Sequence, residues 1–188
     1  IITASMTVLA ICYTMIIPFL PIYLLELGVP KADVALWSGL VFGITFLIAG
    51  IMAPIWGKIA DNKGKKRMAL RAGFAIAVSY VLIGMVTDQY QLLMGRALVG
   101  FANGFYPAAM TMVSLSVDEK QVGRALGIFQ TGLILGNVIG PFLGGAVESV
   151  VGMRPVFYIS GIAVFIATLA VLFLVKEPKL EVENTTSK

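Results

Sequence analysis

The stretch GLILGNVIGPFLGG, residues 132–145, decides the fold of this chain. Gly132, Gly136, Gly140 and Gly144 recur at every fourth residue, Gly145 follows at once, and Pro141 stands directly behind Gly140. Residues four apart lie nearly above one another on an α-helix, so the run predicts a helix with a smooth groove, free of side chains, along one face. A second helix can pack against such a groove at close range, which is how helices associate where lipid supplies no hydrophobic drive between them. Large apolar residues fill most of the intervening positions and place this helix in a membrane.

Composition agrees along the rest of the chain. The 188 residues are 59% hydrophobic and 13% charged, with no histidine, and the mean hydropathy is +0.93. A hydrocarbon layer of about 30 Å takes roughly 20 apolar residues per helix. Six such spans are expected: Thr3 to Leu25, Leu36 to Gly57, Met68 to Thr87, Tyr90 to Ser114, Ala125 to Val147 and Phe157 to Val175. All six are read as helices, because an open sheet would leave unpaired edge groups in lipid and the runs are far longer than a barrel strand needs. Residues 1–175 are thus expected to form one six-helix transmembrane bundle, with no room for a soluble domain. Residues 176–188, with mixed charges, Pro178 and the run NTTS, are expected to be the disordered start of a cytoplasmic linker. The first span opens at residue 1 with neither an initiator Met nor a charged flank, so a few residues are expected ahead of it. The lone Cys12 lies inside that span and is read as a small packing residue.

Basic residues set the orientation. Lys58, Lys63, Lys65, Lys66, Arg67 and Arg71 crowd the joint after the second span, Lys120 and Arg124 follow the fourth, and Lys176, Lys179 and Lys188 follow the sixth. The joints on the other side hold only Lys31 and Arg154. With the positive joints cytoplasmic, both chain ends face the cytoplasm of a multi-pass cell-membrane protein. The net charge of +4 is then a topology signal, and no aromatic-interleaved basic patch supports nucleic-acid binding. A shift of 88 residues sets Gly39 on Gly127, Gly57 on Gly145, Gly64 on Gly152 and Lys66 on Arg154. That pattern reads either as coincidence in a glycine-rich chain or as two inverted three-helix repeats.

Several positions carry chemistry by residue type alone. Between the second and third spans, Gly57 can admit a neighbouring backbone and Gly64 can make a tight reversal, while Asp61 can face a helix N-terminus or accept from Arg67. Arg96 falls about six residues, or ~9 Å, into the fourth span from its outer end. A charge at that depth costs at least ~2.5 kcal/mol to insert, so it calls for a partner, a wet cavity or a snorkelling path to the outer headgroups. Pro141 removes a backbone donor, which allows the fifth span to bend while its glycines keep contact.

Four segments resemble the major facilitator superfamily, in its drug:proton antiporter branch with twelve helices. GKIADNKGKKR, residues 57–67, is similar to the signature between helices 2 and 3. Arg96 and Gly100 in LLMGRALVGFANG look like the helix 4 signature, GNVIGPFLGG like the helix 5 antiporter signature, and Pro18 and Pro21 in PFLPIY like the helix 1 motif. The chain departs from that pattern at Asn62, Ile59, Val99 and Cys12, where the family favours a basic residue, Leu, Gln and Gly. The likeness covers essentially the whole chain and implies an all-α membrane fold, the N-terminal six-helix half of such a transporter.

The same resemblance assigns roles. Gly57, Asp61, Gly64 and Arg67 become a cytoplasmic gate that latches one half to the other. Arg96 takes part in proton coupling by biasing a nearby carboxylate, for which Glu26 is the acidic candidate in this half. The helix 5 glycines seal against helix 8 of a C-terminal six-helix half absent from this chain. Helices 1 and 4 line the cavity and bring Tyr13, Phe19, Tyr23, Asn103, Phe105, Tyr106, Met110 and Met112, a set suited to flat lipophilic cations, with packing between helices as the competing role. The implied activity is proton-coupled efflux of lipophilic or cationic drugs by alternating access, driven by a proton gradient without cofactor or metal.

Two other readings stay open at this point. A symporter or uniporter of the same fold, for a sugar or other metabolite, is expected to place more amides in the cavity than Asn103 and Gln130. A membrane assembly protein that transports nothing would leave the Arg inside the fourth span without a purpose. An enzyme is not expected, since the chain has no His, no Cys pair, no Gly-x-Ser-x-Gly, no phosphate loop and no metal-ligand cluster.

Overall fold

The computed structural model describes residues 1–175, and its elements are all helical. The linker expected at 176–188 lies outside the described residues. The first span is α1 (Ile2–Ile16), a 3-10 turn at Ile17–Phe19 and α2 (Leu20–Glu26). Pro18 and Pro21 account for that interruption, because neither can donate a backbone hydrogen bond to the preceding turn. Next come α3 (Val34–Lys63), α4 (Lys65–Gly84), α5 (Gln89–Ala102), α6 (Phe105–Ser114), α7 (Val122–Val151) and α8 (Met153–Leu174). Among the described residues, five helices are long and apolar enough to cross a membrane by themselves.

The remaining crossing, the fourth span, corrects an expectation. The span read as one helix from Tyr90 to Ser114 is split into α5, 14 residues, and α6, 10 residues, with Asn103 and Gly104 between them. Gly104 sits at φ +135°, where a side chain is strained. Pro107 also lacks the N–H that the Asn103 carbonyl would need to continue the helix. The reversal between the second and third spans is also shorter than expected. α3 runs on through Gly57 and Asp61 to Lys63, Gly64 alone turns the chain at φ +95°, and α4 begins at Lys65. α7 likewise continues helical through Pro141.

The 88-residue repeat is visible in the helix bounds. Val34–Lys63 and Val122–Val151 are both 30-residue helices with a proline inside, and each ends at a positive-φ glycine, Gly64 or Gly152. The first span ends at Glu26 and the fourth at Ser114, again 88 apart (114 − 26), and both are interrupted midway. Packing follows the same symmetry. α1 lies along α7 as α5 lies along α3, α1 meets α8 as α5 meets α4, and α4 and α8 pair with each other. Three spans per repeat reverse its direction across the membrane, which makes the repeats inverted.

At the ends of the α4–α8 pair the repeats exchange a bond. Lys66, at the start of α4, donates to the Leu172 carbonyl in the last turn of α8 (2.8 Å), and Arg154, at the start of α8, donates to the Val86 carbonyl just beyond α4 (3.2 Å). These are the two residues that the 88-residue shift superimposes. The interior holds Tyr80, Phe105, Phe129 and Phe157, while Phe46, Leu47, Met94, Phe142 and Phe173 are exposed on the outside of the bundle.

Candidate functional site

The glycine row of α7 is covered by α1. A Cβ on Gly136 would lie 2.7 Å from Ala10 Cβ and 2.8 Å from the Thr7 carbonyl oxygen, one on Gly140 2.7 Å from the Ile11 oxygen, and one on Gly144 2.9 Å from Met15 Cα. Gly132 meets Thr3 and Thr7 in the same way, and Gly145 meets the Phe19 ring. The Thr14 hydroxyl, which donates to the Ala10 carbonyl of its own helix at 2.8 Å, also lies 3.2 Å from the Gly136 carbonyl at the crossing. The groove therefore exists as the spacing predicts, but its occupant is the first span of this chain. Backbone atoms of α1 lie directly over the groove.

On the basic side, α3, α4 and the α5–α6 break enclose an open cavity of about 480 Å³, whose wall includes Trp56, Gly57, Asp61, Met68, Asn103 and Tyr106. Asp61 forms an ion pair with Lys65, across the reversal at Gly64, and not with Arg67, which is exposed at the third position of α4. Gly57 admits no backbone here, since nothing lies within 4 Å of the position a Cβ would take. Tyr106 accepts a hydrogen bond from Gln130 of α7 at 2.8 Å and leans on Phe129. Asn103 folds its side-chain oxygen back onto the Gly104 N–H at 2.8 Å.

Arg96 is enclosed inside the bundle at 0% exposure. None of its side-chain nitrogens has a hydrogen-bond partner among the described residues, and its guanidinium lies 6.0 Å from the ring centres of both Tyr13 and Phe42. Snorkelling to the headgroups is thereby excluded: the side chain stays in the core. The acidic candidate does not join it. Glu26 is exposed at the end of α2, about 20 Å along the helix from Tyr13 at 1.5 Å per residue.

Four cavity expectations meet packing instead. Tyr23 is fully buried, donates to the Ile83 carbonyl at 3.0 Å and stacks on Phe157, so no ligand reaches it. Met110 is half-buried against the core and does not line the cavity. Phe105 and Met112 are core residues too.

The profile of the Major Facilitator Superfamily matches residues 2–188. This chain belongs to that superfamily. It is 43% identical over 166 residues to the Multidrug resistance protein MdtG of Proteus mirabilis, covering 88% of this chain and 41% of that protein. It is 42% identical over 166 residues to the protein of the same name from Yersinia enterocolitica, with 88% and 40% covered. The chain thus spans about two fifths of the length of these curated relatives. The crystal structure of the human organic anion transporter MFSD10 (TETRAN) superposes with a TM-score of 0.82 at 16% identity, over 95% of this chain and 47% of that one, and shows a shared fold. A superfamily bundle with this many apolar helices is a multi-pass membrane protein.

Sequence reasoning passed over Trp56, which lines the cavity, and the role of Arg71 packed against it. Arg71 stacks its guanidinium on Trp56, 3.6 Å from the ring centre, and donates to the Ala102 and Asn103 carbonyls. A signal was available: Arg71 lies seven residues past Gly64, about 10 Å up α4, too deep for an anchor at the joint.

Proposed function

We propose that this chain is the N-terminal six-helix half of a twelve-helix secondary transporter that expels lipophilic or cationic drugs in exchange for protons. The observation that carries this reading is the 43% identity to Multidrug resistance protein MdtG across 88% of the chain. The uncovered part of that protein leaves room for a C-terminal half, and the two halves would rock about a midplane site. The protein sits in the cell membrane with the basic reversal cytoplasmic. It is a carrier and not an enzyme, and it needs a proton gradient but no bound cofactor.

Gly57, Asp61, Gly64 and Arg67 form the cytoplasmic gate in this reading. Gly64 fixes the reversal, the Asp61–Lys65 pair stands beside the cavity mouth, and the exposed Arg67 is available to the second half. Gly132, Gly136, Gly140, Gly144 and Gly145, with Pro141, bind the first and fifth spans closely enough to move as one body. Asn103 and Tyr106 of the cavity wall offer amide and aromatic surface to the substrate, and Tyr13 stands beside Arg96. Arg96 keeps a fixed positive charge in the interior, and a buried charge without a partner is costly enough to act strongly on any carboxylate or water that approaches it. The acidic residues of the described spans lie near helix ends or in joints, which supports a proton-carrying carboxylate in the second half.

The test uses inside-out vesicles with the full-length protein, acidified inside by respiration, and a pH dye that records proton release on addition of ethidium. Release that disappears in Arg96→Ala supports antiport and the coupling role. Absence of proton movement with every cation tried would turn the reading toward a metabolite carrier.

A further inference from the structure

The break in the fourth span leaves three successive carbonyls, Phe101, Ala102 and Asn103, without the amide partners a continuous helix would give them. Irregular backbone persists at membrane depth only where protein or a wet cavity satisfies it. Here all three are taken by side chains from two other spans. Trp56 of α3 donates from Nε1 to Phe101 O at 2.9 Å, and Arg71 of α4 donates to Ala102 O at 3.0 Å and Asn103 O at 3.2 Å. The two donors are locked to each other by the stack of the guanidinium on the indole.

The halves on either side of the break are held differently. α5 is pinned by glycines in close contact. A Cβ on Gly100 would lie 3.2 Å from Ile48 Cβ of α3, and one on Gly95 would run into Ile83 of α4. α6 contains no glycine: it meets α4, α7 and α1 through side chains, burying Phe105, Ala108, Ala109, Met112 and Val113, and it carries Tyr106 and Thr111 of the cavity wall.

The geometry points to Arg71 and Trp56 as a clamp that makes Asn103–Gly104 a fixed pivot: α5 stays with the bundle while α6 swings to open and close the cytoplasmic cavity. Arg71 and Trp56 are positioning residues, acting through the backbone of the break. This inference rests on the transport reading above and names the moving part of that same cavity. With Arg71 in place, the pivot keeps its carbonyls bonded in both positions of α6. Without it, the Ala102 and Asn103 carbonyls lose their donor, and because Pro107 cannot pair with Asn103 the break loses its fixed geometry and α6 its defined second position.

The experiment places a single thiol in the cavity, Thr111→Cys in the full-length protein otherwise free of cysteine, reconstituted in liposomes. A membrane-impermeant maleimide is applied from the cytoplasmic side with and without ethidium, and proton-coupled transport is measured beside it. With the clamp intact, ethidium is expected to change the labelling rate about five-fold; Arg71→Ala brings this below about two-fold and lowers turnover about ten-fold with KM moved less than about three-fold. Arg71→Lys, which retains a donor but cannot stack, falls between. Wild-type labelling and turnover in a folded Arg71→Ala protein overturn the clamp.

Should Arg71→Ala not be recovered folded, Trp56→Phe and Gly104→Ala decide. The first deletes only the donor to Phe101, the second strains the positive-φ pivot, and unchanged turnover in both overturns the proposal. A wild type that moves no substrate sinks the efflux reading instead. The clamp is then judged by labelling across a change of pH, where identical wild-type and Arg71→Ala profiles reject it.

Discussion

Gly136→Ala puts one methyl group between the fifth and first spans. Its carbon would start 2.7 Å from Ala10 Cβ and 2.8 Å from the Thr7 carbonyl oxygen, where carbon contacts are comfortable at about 3.5–4.0 Å. The Thr7 oxygen belongs to the backbone of α1 and cannot rotate away, so the helices must part by roughly 1 Å at the crossing. Overpacking of that kind costs about 1–3 kcal/mol, against up to ~1 kcal/mol that alanine gains over glycine within a helix. The net loss of about 1–2 kcal/mol corresponds to a fall in Tm of roughly 2–8 °C for a chain of this size. Gly127→Ala on the same helix is the internal control, since nothing lies within 4 Å of its Cβ position, and its Tm is expected to hold or rise by up to ~4 °C. Thermal unfolding in detergent is read with a thiol-sensitive dye, because Cys12 is only 2% exposed and reacts as the bundle opens. Equal shifts for the two substitutions would refute the argument that close approach, rather than glycine content, holds α1 to α7.

Three further outcomes are expected. Arg96→Met removes a buried charge that has no hydrogen-bond partner among the described residues, so Tm should stay level or rise, by up to ~4 kcal/mol of stability, while ethidium-triggered proton release is lost; a clear drop in Tm would mean the guanidinium is satisfied after all. Asp61→Asn breaks an ion pair at the surface worth about 0–1 kcal/mol, so drug uptake into inside-out vesicles should slow with Tm nearly unchanged, and a large loss of Tm would make the residue structural. Tyr23→Phe deletes the bond to Ile83 and should lower Tm by about 2–4 °C, for ~1 kcal/mol, leaving the KM for ethidium where it was. A shifted KM at constant Tm would return Tyr23 to the cavity.

Much of the fold was legible because hydropathy and glycine spacing act locally. The long spans, the reversal at Gly64 and the close-packed face of α7 each follow from the residues that form them. The break at Asn103–Gly104 was hidden by its apolar surroundings, since Phe101, Ala102 and Phe105 read as continuous helix in any hydropathy window. Its cause lies in Pro107, four residues beyond the carbonyl it fails to pair, and in donors from α3 and α4 that no local pattern reveals. Tyr23 and Met110 were misplaced for a related reason. Residue type states what a side chain can do, while the rotation of its helix decides whether it meets a ligand or a neighbour. Asp61 found Lys65 and not Arg67 because the reversal at Gly64 sets the first residue of α4 against the last turn of α3.

The exchange of bonds between Lys66 and Leu172, and between Arg154 and Val86, also sets an order in time. The Val86 carbonyl at the end of the third span finds its donor 68 residues later in the chain. At a synthesis rate of about 5–20 residues per second, that donor emerges roughly 3–14 s after the carbonyl it will cap. Through that interval the first three spans hold an unfinished end. Lys66 waits longer still, for a carbonyl 106 residues downstream. A nascent chain that stalls between these points would hold an open helix end until its donor arrives.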